Sequence, residues 1–321
     1  MNAHSTHEPV SGPHAGLLAE RVQDRWLRDL WDRLWQTYRQ RVPYVVQYES
    51  LMASHGVRFT NDHIAFRTFA HQHPATGFFP LARILDAAGY RPAGCYHFED
   101  KHLTAVHFQH RLPGYPKIFI SQLKTWELPD EARAAIQRIV AGHRPLPADS
   151  LLSQLYRLED DDSATYARLL DETVDWIERR PWAPPDKSDI ELLNSVSQYA
   201  AWVALHGYNV NHFTALINSQ HGSPVDSIEK TVDLLAGAGV PMKERIEGEP
   251  GSKLRQSATQ AVVIDVEVQD GSQTTTIPWT YAYLELAERG DVVDAETGRS
   301  VRFEGFLGPQ ATHLFEMTQK R

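Results

Sequence analysis

The sequence predicts an α+β protein in which duplicated βαβββ units form a curved central sheet, with an N-terminal helical segment and a helical insertion between the units. Three observations predict this. Residues 61–125 alternate strand-like runs with one amphipathic helix, residues 207–290 repeat that order, and residues 16–60 and 126–206 carry helical periodicity. His63 precedes I-L-D-A-A-G-Y-R-P, with Gly89 arriving 26 residues later; His212 precedes L-L-A-G-A-G-V-P-M, with Gly239 arriving 27 residues later. Glycine stops are common after helices, so it is the histidine in the same place in both units that argues for duplication.

Taken in order, the polar residues 1–15 read as a flexible leader whose three histidines are solvated, and they lack the apolar stretch of a signal peptide. In residues 16–42, Leu17, Leu18, Val22, Trp26, Leu27, Leu30, Trp31 and Leu34 recur at helical spacing, and Pro43 ends that helix or starts the next. The first unit, 61–125, opens on N-D-H-I-A-F-R-T-F. Leu81, Ile84, Leu85 and Ala88 then mark a helix closed by Gly89, and strands are expected over 103–108 and 117–123. The helical insertion, 126–206, contains three helical runs, the last through I-E-L-L-N-S-V-S-Q-Y-A-A-W-V-A-L. The second unit, 207–290, starts with a strand at 207–217 and a helix bearing Ile228, Val232, Leu235 and Ala236, with strands expected over 258–268 and 277–287. Residues 291–321 form a C-terminal tail, and residues 16–321 together are read as one integrated catalytic domain.

Bulk composition narrows the function. A chain of 321 residues with 42% hydrophobic and 23% charged residues has the make-up of an ordinary soluble globular protein, and no run is long and apolar enough for a membrane span. A net charge of −9 argues against a nucleic-acid partner. The single cysteine, Cys95, excludes a disulfide framework and fits a reducing cytoplasm; it reads as a small buried residue rather than a nucleophile. No nucleophile elbow, P-loop or H-E-x-x-H is present, and G-A-G at a helix end is not a dinucleotide fingerprint.

Side chains alternate along a strand, so His63, Ala65 and Arg67 share one face, as do Val210, His212 and Thr214, and Tyr281, Tyr283 and Glu285. If the three faces line the hollow of a curved sheet, two imidazoles and one carboxylate make a facial triad with open positions, a set suited to non-haem Fe(II). Zinc or manganese could also bind it. Sixteen histidines make any single one weak evidence, and a strand histidine is more often structural than a ligand. Arg67 could instead pair with Asp62 or Glu99, and the cluster His97, His102, His107 and His110 could belong to an edge strand or support a site.

H-I-A-F-R-T-F, Y-N-V-N-H-F-T, M-K-E-R-I-E-G followed by L-R-Q-S, L-E-L-A-E-R-G and G-P-Q-A-T-H-L-F-E resemble the 2-oxoadipate dioxygenase/decarboxylase family over most of residues 17–321. That resemblance implies a fold related to the vicinal oxygen chelate superfamily and to 4-hydroxyphenylpyruvate dioxygenase. It implies Fe(II) held by His63, His212 and Glu285, with Arg67 binding a substrate carboxylate. The implied reaction converts 2-oxoadipate and O2 to 2-hydroxyglutarate and CO2, in lysine breakdown. Arg255 and Ser257, sharing a strand face, are further candidates for substrate contact, with structural pairing as their alternative. Phe303 to Phe315 is read as a lid over the cavity or as a docked tail. Two other functions stay open: a glyoxalase-like metal-dependent lyase or isomerase, and a non-catalytic protein binding a small carboxylate. Oligomeric state is not legible.

Overall fold

The computed structural model describes residues 12–144 and 149–307. The first helices, α1 (Val22–Arg41) and α2 (Pro43–Ser54), are separated by Val42, and Pro43 begins the second helix where its missing N–H costs nothing. The first unit comprises β1 (Asn61–Ala70), α3 (Phe78–Ala87), β2 (Tyr90–Phe98), β3 (Leu103–His110) and β4 (Lys117–Lys124). The helical insertion holds α4 (Asp130–Val140), α5 (Asp149–Tyr156), α6 (Ser163–Glu178), α7 (Lys187–Val196) and α8 (Gln198–His206). The second unit runs β5 (Val210–Leu216), α9 (Ile228–Gly237), β6 (Leu254–Ala258), β7 (Val263–Asp270), β8 (Gln273–Thr280) and β9 (Glu285–Arg289), followed by a small ribbon, β10 (Asp291–Val293) and β11 (Ser300–Arg302). Among the described residues no helix is long and apolar enough to cross a membrane.

Seven strands form one curled sheet in the order β2-β3-β4-β1-β5-β9-β6, and the protein is of the α+β class. The two units meet at its centre, where β1 and β5 run antiparallel. On either side the arrangement repeats: β4 lies parallel to β1 and β9 parallel to β5, then β3 lies antiparallel to β4 and β6 antiparallel to β9. Gly89 (φ 98°) and Gly239 (φ 83°) both end their unit's helix in a left-handed conformation that a side chain would strain.

The units differ in what they add. The βαβββ pattern requires a strand between α3 and β3, but the sequence marks no residues for it, because Pro92 and Gly94 interrupt its pattern; β2 forms at the sheet edge, where a missing N–H is tolerated, with a register shift at Pro92/Gly94. In the second unit the strands expected over 258–268 and 277–287 are each broken. Tyr281 N donates to Val262 O (2.8 Å) and Thr259 N to Leu284 O (2.9 Å). Trp202 Nε1 donates to Tyr281 O (2.6 Å) and the Tyr38 hydroxyl to Tyr283 O, so two helices claim carbonyls that a regular ladder would use. The chain leaves the main sheet there, and β7 and β8 form a separate hairpin. The helix expected through 190–205 also divides: Ser197 is extended (φ −155°, ψ 109°), and its side chain caps α8 by accepting from Ala200 N.

Two expectations fail on single residues. His14, read as part of a solvated leader, is buried, its Nδ1 2.7 Å from Asp32 Oδ1 and its Nε2 2.9 Å from Asn61 Nδ2. Residues 1–11 of that leader lie outside the described residues. Cys95, read as buried, is exposed, because the edge strand carrying it turns that side chain to solvent.

Helices pack against the central pair. Trp35 and Tyr38 of α1 each set an aromatic ring 5.0 Å from the Phe213 ring of β5. From the other unit's side, the Tyr199 hydroxyl of α8 accepts from Thr68 N (3.1 Å) and meets Ser121 Oγ (2.8 Å). The inserted helices thus tie β1 and β4 together from one side.

Candidate metal centre

The register of β1 and β5 pairs His63 with Thr214 and Ala65 with His212. This two-fold arrangement makes His63 and His212 equivalent and brings them onto neighbouring strands facing one another. Their Nε2 atoms are 3.4 Å apart. Glu285 enters from β9 opposite Thr214, with Oε1 3.3 Å from His63 Nε2 and Oε2 3.3 Å from His212 Nε2. All three side chains are buried, and their donor atoms lie within 4.8 Å of one another.

Each imidazole is held from behind by the residue preceding it. His63 Nδ1 donates to Asp62 Oδ2 at 2.8 Å, and His212 Nδ1 donates to Asn211 Oδ1 at 3.0 Å. An Nδ1–H fixed in this way leaves Nε2 as the lone-pair atom, the tautomer a metal ligand requires. Asp62 in turn receives both arms of Arg289, at 2.6 and 2.7 Å. Burial alone would raise the Asp62 carboxyl, but Arg289 and Lys117 hold it well below its usual range. Burial also acts against a charged His63, yet the hydrogen bonds to Asp62 and Glu285 outweigh it and raise the ring's pKa. His212, with a neutral amide behind it, is pulled down by burial to about 3 despite Glu285. Glu285 stays ionised: burial opposes the charge, but the two histidines and Gln256, whose Nε2 donates to Oε1 at 2.6 Å, lower its pKa.

Glu285 Oε2 is buried with no hydrogen-bond donor. The Thr214 hydroxyl lies 3.1 Å from His63 Nε2, but the His212 Nε2 lone pair facing an unsatisfied carboxylate oxygen is a costly arrangement unless a cation sits between them. The donor set fits a divalent metal with imidazole and carboxylate preferences.

Arg67 lies further along the same face of β1, four residues on, roughly 13 Å at ~3.3 Å per residue. It lines the same cavity, whose empty space is about 450 Å³ including its mouth. It does not pair with Asp62, which Arg289 occupies. Its guanidinium instead lies 5.2 Å from the Tyr199 ring centre and 5.3 Å from that of Trp202, and Tyr283 hydrogen-bonds to it. Burial lowers its pKa against the opposing pull of Tyr283 and Tyr199, but a guanidinium remains a cation at working pH.

Other expected contacts fall elsewhere. Arg255 forms ion pairs with Glu229 and Glu288 (2.8 Å to Glu288), and Ser257 is buried without lining the cavity. Alternation along β6 puts Gln256 toward the centre, between those two residues. Tyr283 lines the cavity, whereas Tyr281 turns to Arg41 (3.3 Å) and Asn209 (3.4 Å), because the strand is broken at that point. Of the histidine cluster, His107 approaches the site, its Nδ1 2.9 Å from the Tyr96 hydroxyl and its ring 5.3 Å from Phe306. His97 is exposed, His102 meets Glu127, and His110 packs on Tyr115. Within the expected lid, Phe306 and Leu307 line the cavity, with the Phe306 ring 4.9 Å from His63, while 308–315 lie outside the described residues.

Asp62 and Asn211 carried a signal that reading the strand faces alone passed over: an Asx-His pair occurs at equivalent places in both units. Tyr199 and Trp202 were invisible because they arrive from the helical insertion.

A curled sheet whose two units place two histidines and a glutamate on three adjacent strands, β1, β5 and β9, defines a metal-competent protein of glyoxalase-like fold. A Ralstonia eutropha JMP134 protein described as of the glyoxalase superfamily shares that fold, at a TM-score of 0.79 and 24% identity over 92% of this chain and 91% of that one. The chain belongs to the 2-oxoadipate dioxygenase/decarboxylase family, which matches residues 30–307. It is 28% identical to the chloroplastic/amyloplastic 2-oxoadipate dioxygenase/decarboxylase of Oryza sativa subsp. japonica, over 92% of this chain and 79% of the relative. The fold also matches the hydroxyglutarate synthase of Oryza sativa in complex with 2-oxoadipate, at a TM-score of 0.73 and 24% identity over 99% and 98% of the two chains.

Proposed function

We propose that the protein is an Fe(II)-dependent dioxygenase that converts 2-oxoadipate, or a close 2-oxo acid, and O2 to 2-hydroxyglutarate and CO2. The observation that carries this reading is one cavity with two kinds of anchor: the donors of His63, His212 and Glu285 at one end, and the buried Arg67 guanidinium at the other. Fe(II) held by those three side chains would supply O2 binding and the oxidation of a chelated 2-oxo acid.

The chain's own residues supply the rest. Asp62 and Asn211 keep the Nδ1 protons in place, so both Nε2 atoms stay directed at the centre. Gln256 fixes one oxygen of Glu285 and leaves the other for the metal. Arg67, its guanidinium 5.2 and 5.3 Å from the Tyr199 and Trp202 ring centres, takes the substrate carboxylate with two parallel hydrogen bonds. Phe66, Phe119, Phe306 and Leu307 line the cavity with apolar surface that excludes bulk water.

The reaction balances. The C1–C2 bond of the 2-oxo acid breaks and C1 leaves as CO2. One oxygen atom of O2 enters the new carboxylate at C2, and the other becomes the product hydroxyl, so no separate reductant is required. A place in lysine breakdown, in the cytoplasm, is part of the same proposal.

The test is anaerobic loading with Fe(II), followed by 2-oxoadipate and measured O2. Equal amounts of O2 consumed, CO2 released and 2-hydroxyglutarate formed are expected. Turnover of the 2-oxo acid without O2 uptake would move the protein to the lyase or isomerase class, and binding without turnover would make it a carboxylate-binding protein.

A further inference from the structure

We infer that Phe119 keeps open a coordination position that the symmetry of the sheet would otherwise fill with a fourth protein ligand. The inference rests on the metal-dependent reading above. It starts from the register. Pairing of His63 with Thr214 and of Ala65 with His212 puts a two-fold axis between β1 and β5, so that His63 corresponds to His212 and Ala65 to Thr214. On the second side, β9 runs parallel to β5 and sets Glu285 opposite Thr214. On the first side, β4 runs parallel to β1 and sets Phe119 opposite Ala65. The operation that exchanges the two histidines therefore exchanges Glu285 with Phe119.

Both residues line the cavity, so the correspondence holds for side chains as well as strands. Three of four symmetry-related positions carry donors, and the fourth carries a phenyl ring. Phe119 is fixed in place: its ring lies 4.8 Å from that of Phe306 and 5.7 Å from that of Tyr96, and it is 7% exposed. Among the described residues, the only group of three or more potential ligands is His63, His212 and Glu285.

The consequence is a count of positions. An octahedral ion with three protein ligands keeps three for other molecules: two for the carboxylate and keto oxygens of a 2-oxo acid, one for O2. A fourth protein ligand leaves two, which the 2-oxo acid alone would fill. A carboxylate at position 119 would thus make a site that holds metal and 2-oxo acid but gives O2 no place. Within this fold, one side chain on β4 separates a centre able to activate O2 from a centre limited to Lewis-acid chemistry.

The experiment uses Mn(II) as the probe ion on the full chain, comparing the parent with Phe119→Glu, Phe119→His and Phe119→Leu. Binding is followed by electron paramagnetic resonance, and exchangeable metal-bound waters are counted by water-proton relaxation. Phe119→Glu is expected to bind Mn(II) at least tenfold more tightly than the parent and to lose one exchangeable water. Phe119→Leu, which removes the ring without adding a donor, should keep the parental water count. Should the buried carboxylate prevent folding without metal, Phe119→His offers a neutral donor, and the same gain in affinity and loss of one water are expected of it. Folded Phe119→Glu and Phe119→His proteins with the parental affinity and water count would overturn the inference while leaving the three-ligand site intact. A parent that binds no Mn(II) would overturn the inference together with the functional reading beneath it.

Discussion

Arg289 grips both oxygens of Asp62 across 227 residues of sequence, at 2.6 and 2.7 Å, and the same carboxylate accepts the Nδ1 proton of His63. Arg289 also donates to Phe303 O (3.1 Å) and Gly305 O (2.8 Å), so one buried cation connects a candidate ligand with the segment that brings Phe306 to the cavity.

Support behind the histidines should show in metal affinity. Asn211→Ala removes the acceptor that fixes the His212 tautomer while leaving the Asp62–Arg289 pair intact. We expect metal binding to weaken by about 10- to 100-fold with little loss of stability, measured by calorimetric titration and thermal unfolding. Asp62→Ala should weaken binding and also destabilise the fold by about 3–5 kcal/mol, because it strands the Arg289 charge in the interior.

Arg67 is expected to serve the substrate and not the metal. Arg67→Met should leave metal content at the parental level and weaken 2-oxoadipate binding by about two orders of magnitude, two charge-assisted hydrogen bonds being worth about 3 kcal/mol together. Arg67→Lys should recover little of this, since an ammonium lacks the planar fork of donors that the guanidinium presents beside Tyr199 and Trp202. Equal loss of metal in Arg67→Met would remove the assigned role.

Phe306 contacts His63, Phe119 and Tyr96, and its backbone N–H donates to the Tyr96 hydroxyl at 3.1 Å. Truncation by Phe306→Ala opens the cavity to water. The expected outcome is uncoupling: O2 is consumed in excess of 2-hydroxyglutarate formed, while metal content is unchanged. A parental ratio of O2 to product would mean that the segment carrying Phe306 is docked for stability alone.

His206 predicts part of the acid response. Burial, reinforced by Arg180, Arg41 and Arg67, draws its pKa down to about 3 against the opposing hydrogen bond to Thr280 O. The folded protein therefore keeps this ring neutral where the unfolded chain protonates it, below about 6.5. Since the unfolded state binds the extra proton, stability falls as pH drops from that value toward 3, by roughly 1.4 kcal/mol per pH unit from this residue. His206→Gln should flatten the acid limb of the unfolding free energy measured in urea between pH 6 and pH 4.

The sequence made the central strands readable because a duplicated histidine at fixed distance from a glycine stop survives in one chain as a repeat. His63, His212, Glu285 and Arg67 all come to one cavity, as alternation along three strands requires. One strand further out the reading stayed open: Arg255 and Ser257 were candidates for substrate contact or for structural pairing, Arg255 takes the pairing with Glu229 and Glu288, and Gln256 faces the cavity, since nothing in L-R-Q-S says which face of β6 turns inward. The break at 281–284 was illegible because the groups that claim its carbonyls, Tyr38 and Trp202, lie on helices distant in sequence. Strand β2 was hidden by its own Pro92 and Gly94, which suit only an edge.

The central claim is that His63, His212 and Glu285 hold iron in the cavity where the 2-oxo acid binds. It is tested most directly by anaerobic titration of the Fe(II)-loaded protein with 2-oxoadipate. Chelation of Fe(II) by a 2-oxo acid produces a visible charge-transfer absorption. The account predicts that this band grows to saturation at one 2-oxo acid per iron in the parent and is absent from His212→Ala. An iron-loaded parent that develops no band, or a His212→Ala protein that binds iron and develops the parental band, would contradict it.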